Sequence, residues 1–171
     1  YRSYIGAHNA EQWYSIGRLQ YFFLINQGLK PNHTFLDVGC GSLRLGQYLI
    51  PFLEEKKYFG LEPEELLVKC GLNNEIPEFL IEQKFPIFAY NYNFEFEELN
   101  NFDYAMANSI FTHLTPNDIT LCFAQLLKKA HSLSKFYFTF FEGNSRNNPN
   151  SSSHANLSWR YSMKELNRFA D

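Results

Sequence analysis

Residues 35–46 read Phe-Leu-Asp-Val-Gly-Cys-Gly-Ser-Leu-Arg-Leu-Gly, and this one stretch limits what the chain can become. Four residues suited to a buried strand run into two glycines, and apolar residues at helical spacing follow. Glycine reaches backbone conformations closed to other residues and lets main-chain N–H groups approach a ligand. At a helix N-terminus those groups favour polar or anionic partners. A second apolar run, Tyr58-Phe59-Gly60-Leu61, ends at an acid, Glu62. A strand, a glycine turn and a helix, then a strand closed by an acid, is a common way for an α/β protein to hold a nucleoside-containing cofactor.

The remaining chain extends the alternation. Apolar residues at helical spacing predict a helix over residues 13–24, ended by Gly28 and Pro31. Strands are expected at 34–38, 58–62, 86–90, 102–107 and 135–141. Helices are expected at 43–53, from Pro63-Glu64-Glu65 onward, at 119–130 and at 162–169. Pro51 should kink or shorten the second helix. Ser162 and Glu165 have the spacing of a capping box. Residues 144–158, rich in Asn and Ser, predict a long mobile loop. Apolar strands alternating with helices argue for an α/β fold with a parallel, doubly covered sheet.

At 171 residues the chain suits one domain. Its 18 Phe and 11 Tyr require an aromatic core, an aromatic pocket, or both. The net charge of −3 and the lack of a basic run argue against nucleic acid as a partner. Cys40, Cys70 and Cys122 lie far apart, fit neither a disulfide scaffold nor a metal site, and suggest a reducing, cytoplasmic setting. No apolar run has membrane-spanning length and no signal-peptide pattern is present. The first residue is Tyr1 and not Met, so the sequence is open to being part of a longer one.

The glycine turn separates several nucleoside ligands. A dinucleotide site wants a third glycine where this chain has Arg44, a bulky charged residue at a close helix–strand contact. A Walker loop needs Gly-Lys-Ser/Thr, which is absent. Asp37 would repel a pyrophosphate, yet it suits a ligand carrying an ammonium group.

Leu36-Asp37-Val38-Gly39-Cys40-Gly41 resembles motif I of the class I S-adenosylmethionine-dependent methyltransferases. Residues 58–63 resemble the family's second strand with its ribose-binding acid. Residues 102–114, Phe-Asp-Tyr-Ala-Met-Ala-Asn-Ser-Ile-Phe-Thr-His-Leu, resemble the fourth strand and its loop, and residues 136–142 resemble the fifth. The four segments occur in order between residues 34 and 142. Leu43 departs from the pattern, standing where the family often has a third glycine.

The resemblance implies a Rossmann-like, doubly wound, mostly parallel sheet within one domain. Residues 1–33 would be a helical cap, 34–142 the cofactor-binding core, and 143–171 a loop and last helix, with the family's sixth and seventh strands absent from this sequence. It implies S-adenosylmethionine as cofactor, no metal, and methyl transfer to a small-molecule acceptor. The other open reading is a non-catalytic cofactor-binding or interaction domain. Gly39, Cys40 and Gly41 would pass beneath the methionine and ribose, Asp37 would hold the ammonium end, and Glu62, followed by Pro63, would accept the ribose hydroxyls. Asp37 could instead cap its own turn. Asn93 and Phe94 would read adenine or simply form a polar turn. Asn108 and Ser109 would border the methionine part. His113 is either a general base that takes a proton from a hydroxyl or amine, or a structural histidine. Tyr1, Tyr4 and Trp13 are candidates for a lid, or for a packed cap with no substrate contact.

Overall fold

The computed structural model describes residues 9–170. Helix α1 (Ala10–Asn26) leads into β1 (Phe35–Val38), α2 (Gly46–Phe52), β2 (Tyr58–Leu61), α3 (Glu65–Glu75), α4 (Glu78–Lys84) and β3 (Ile87–Ala89). Then come β4 (Phe102–Ala107), α5 (Pro116–Leu127), β5 (Ala130–Phe138), β6 (Phe141–Glu142), β7 (Arg160–Tyr161) and α6 (Met163–Ala170). Five strands form one sheet in the order β3-β2-β1-β4-β5, and every pairing is parallel. The order reverses between β1 and β4, which opens a crevice at their carboxyl ends. Open α/β sheets bind ligands in such a crevice.

Alternation along the strands divides the core between the two faces of the sheet. Leu36, Val38, Phe59, Leu61, Ala105 and Ala107 pack on one side. Phe35, Tyr58, Tyr104 and Met106 pack on the other, with α2 residues Leu49 and Ile50. This is the period-2 geometry of a strand covered on both faces. Much of the phenylalanine content goes into the core. Phe111 and Phe138 lie 4.7 Å apart between ring centroids, and Phe123 packs edge-on against Phe136. No helix among the described residues is long and apolar enough to cross a membrane.

Several boundaries differ from the sequence expectation for physical reasons. Helix α2 starts at Gly46 and not at residue 43, because Leu43 has φ of 64° and cannot continue a right-handed helix. It ends at Phe52, directly after Pro51. Ala130, expected at the end of a helix, instead begins β5 opposite Phe102. Ser134 Oγ then donates to the Phe102 carbonyl at 2.5 Å across a break in strand register. Helix α4 was not expected at all; it is only seven residues long and buries no residue fully.

Residues 144–158, expected to be a long loop, are mostly irregular, and hydrogen bonds tie them to the fold. Asn148 donates from Nδ2 to the Arg160 carbonyl and accepts from the Arg160 N–H, at 2.9 and 2.8 Å. Trp159 and Tyr161, 1% and 0% exposed, anchor the segment in the core. Helix α6 opens as expected: the Ser162 N–H donates to Glu165 Oε2 at 2.8 Å, and Ser162 Oγ accepts from the Glu165 N–H at 3.3 Å.

Candidate functional site

Gly39 and Gly41 have φ of 71° and 53°, which a side chain would strain. The N–H groups of Gly39 and Cys40 both donate to the Leu61 carbonyl, at 2.7 and 3.0 Å, so the turn is bound to the end of β2. An added methyl group at Gly39 would overlap the Ile110 side chain. The loop after β4 therefore sits directly on the glycine turn.

Glu62 follows β2 and is 9% exposed. Its Oε2 accepts from the Gly41 N–H at 3.0 Å and its Oε1 from the Glu64 N–H at 3.1 Å. Burial raises its pKa, and the two backbone N–H groups oppose that rise. Each oxygen keeps a further lone pair, so the clamped carboxylate presents two acceptors at the spacing of a vicinal diol. Pro63, half-buried, carries the chain from this acid toward α3.

Asp37 is buried in β1, on the same face as Phe35 by strand alternation. It does not cap its own turn: its Oδ2 accepts from the Tyr58 hydroxyl at 2.7 Å. Burial pushes its pKa up to about 7, against the lowering effects of the Tyr58 hydrogen bond and the Arg44 charge. Arg44 lies half-buried with its guanidinium carbon 5.7 Å from the Trp13 ring centroid. Trp13 is 0% exposed, so it is a packed cap residue beside the glycine turn. Tyr1 and Tyr4 lie outside the described residues. Burial, together with Asp37 and Glu62, pushes the Cys40 thiol well above its usual range, so Cys40 stays a neutral packing group.

After β4, Ser109 has φ of 60° and its N–H donates to Thr139 Oγ1 at 2.7 Å. Asn108 Nδ2 donates to Ser109 Oγ at 3.1 Å. The His113 N–H donates to the Ile110 carbonyl at 2.9 Å, closing a turn. His113 Nδ1 lies 2.7 Å from the Leu157 carbonyl oxygen.

The crevice thus gathers Asp37, Gly39, Cys40, Gly41, Glu62, Pro63, Asn108 and Ser109 at the ends of β1, β2 and β4. Asn93 and Phe94 lie in the loop after β3. Asn91 closes that loop by bonding both backbone groups of Glu95, which leaves the Asn93 side chain exposed. Phe94, with φ of 60°, packs partly into the core. The same segment carries Tyr90 and Tyr92. Tyr92 donates its hydroxyl to Glu64 Oε1 at 2.6 Å, and Tyr90 directly follows Ala89, whose carbonyl accepts the Glu62 N–H at 3.1 Å. Among the described residues no group of three or more His, Cys, Asp or Glu could hold a metal ion.

No family model matches the sequence. A search of curated proteins also returns no match. Solved structures do resemble it. The PH0226 protein of Pyrococcus horikoshii superposes with a TM-score of 0.69 at 14% identity, over 99% of this chain and 86% of that one. Magnesium protoporphyrin IX methyltransferase of Synechocystis, solved with SAM bound, gives 0.64 at 16% identity, over 98% and 75%. An S-adenosylmethionine-dependent methyltransferase of Clostridium acetobutylicum gives 0.63 at 12% identity, over 99% and 82%. The chain has the Rossmann-like fold of the class I S-adenosylmethionine-dependent methyltransferases.

Proposed function

We propose that the chain binds S-adenosylmethionine and catalyses methyl transfer to a small-molecule acceptor. The observation that carries this reading is the Glu62 carboxylate, clamped by the Gly41 and Glu64 N–H groups beside the side-chain-free Gly39–Gly41 turn. The residues present fit the cofactor. Glu62 offers two acceptors to a ribose diol, and Asp37 supplies a buried carboxyl near the turn for an ammonium group. Tyr90 follows Ala89, whose carbonyl accepts the Glu62 N–H, and an aromatic side chain there can border a base.

Bound there, S-adenosylmethionine supplies a methyl carbon on a sulfonium leaving group. The chain's own work is to orient, to exclude water and to accept a proton. His113, in the loop that leans on the glycine turn through Ile110, is the proposed proton acceptor. The acidic net charge and the lack of a basic run support a small acceptor over nucleic acid. The acceptors named for structural neighbours, magnesium protoporphyrin IX and a glycopeptide, are both larger than a simple metabolite.

Isothermal calorimetry with S-adenosylhomocysteine and with NAD tests the cofactor. Binding of the first and not of the second is expected, and Glu62→Ala should weaken it by about 10- to 100-fold, as the loss of charge-assisted bonds to two hydroxyls predicts. Preference for NAD, or unchanged affinity in the variant, would reject the assignment.

A further inference from the structure

A carbonyl oxygen only accepts, so at 2.7 Å from Leu157 O the Nδ1 of His113 must carry the proton. A neutral imidazole has one N–H, which leaves Nε2 as the bare, basic nitrogen. The His113 ring makes no other hydrogen bond among the described residues.

The carbonyl is held in place by a strap, residues 153–161, fastened along the His113 loop. The Trp159 N–H donates to the Thr112 carbonyl at 2.9 Å, and the His154 N–H to the His113 carbonyl at 3.2 Å. The Thr115 N–H donates to Ser153 Oγ at 2.7 Å, and Ser153 Oγ donates in turn to Asp118. The Tyr161 hydroxyl donates to the Leu114 carbonyl at 2.6 Å. Five points of attachment, with Trp159 and Tyr161 buried beneath them, fix one short loop in one geometry. On its other side the same loop meets the glycine turn through Ile110.

We propose that this strap is a positioning element that sets the tautomer of His113 and leaves Nε2 as the atom that takes the acceptor's proton. The inference rests on the methyl-transfer reading for the proton's source. It narrows the acceptor to a nucleophile that carries a removable proton, a hydroxyl or a primary or secondary amine, and excludes thioethers and tertiary amines. The balance is complete. A proton leaves the acceptor's heteroatom for Nε2 as the heteroatom–carbon bond forms. The carbon–sulfur bond breaks with its electron pair staying on sulfur, and the imidazolium later releases its proton to water. Ser153, Leu157 and Trp159 act through His113 and are positioning residues.

Ring-nitrogen NMR of the whole chain, with the imidazole neutral, reads the tautomer without any turnover. The proton is expected on Nδ1. In Ser153→Ala, which loosens the strap without touching His113, a mixture of tautomers is expected, and Ser153→Thr should restore the single form. His113→Asn keeps a donor near the Nδ1 position, so its thermal midpoint should stay near wild type while kcat falls about 100-fold or more, with KM for the cofactor unchanged. A proton on Nε2, or a tautomer indifferent to Ser153, overturns the inference even if the chain methylates an acceptor. The Nδ1–H form in a chain that fails to bind S-adenosylhomocysteine supports the strap and overturns the cofactor reading instead.

Discussion

Asp37 is a carboxyl group held in an apolar sheet, and its titration follows from that position. In the unfolded chain it ionises near its ordinary value of 3.8, and in the folded protein burial moves ionisation to about 7. Between those values the folded state holds a proton that the unfolded state has lost. Its contribution to stability is therefore fully present below about pH 4 and disappears as pH rises through 7, with a swing on the order of a few kcal/mol. Urea unfolding should show wild type losing stability between pH 5 and pH 8, relative to Asp37→Asn, which keeps an acceptor for the Tyr58 hydroxyl. Equal pH dependence in the two proteins would refute the buried-acid argument. An ammonium ligand favours the ionised form, so affinity for S-adenosylhomocysteine should rise through the same window, and less so in the variant. The aspartate was legible in the sequence as an unusual residue before a glycine turn. Its bond to Tyr58 was not, because that partner sits on a neighbouring strand, paired in register through β1 and β2.

At the scale of elements, glycines record where segments touch. Gly17 lies inside α1, where glycine weakens a helix, and a methyl group there would come within 2.5 Å of the Arg44 carbonyl. The cap helix can therefore approach the turn before α2 only without a side chain at that point. Gly39 is held more tightly still, by φ of 71° and by Ile110. Gly39→Ala should destabilise the protein by about 2 kcal/mol or more in urea unfolding, from backbone strain and overpacking together. Adding Ile110→Ala should leave the backbone part of that loss, about 1 kcal/mol, after allowance for the cost of Ile110→Ala alone. Full recovery in the double variant would show that the turn tolerates a side chain. Local signals served well where an element is governed by its own residues, as with the Ser162–Glu165 box. They failed at Leu43, whose left-handed φ of 64° runs against leucine's own preference in a fully buried position.

Across the whole molecule, the carboxyl-terminal strap joins the core on one face of the sheet to the loop after β4. Trp159 is its anchor, 1% exposed. Trp159→Ala should cost about 3–5 kcal/mol if the core keeps its shape, as large buried aromatics do. Hydrogen exchange should then accelerate at the amides of His154 and Thr115, which the strap protects, while β1 and β2 amides keep their protection relative to the lowered global stability. Uniform acceleration would mean that the strap is not a separable unit. Local signals were enough for the strand and glycine turn at residues 35–41, the acid closing β2 and the alternation that makes a parallel sheet. Those features depend on spacing of 2 or 3.6 residues and on glycine, and all of that is local. Contacts between distant segments set how residues 144–158 are tied to Arg160, the pairing of Asp37 with Tyr58, and the partner of the His113 ring. The last two depend on partners 21 and 44 residues away in sequence, brought together by the burial of Trp159, Tyr161 and Tyr58, which no local pattern encodes.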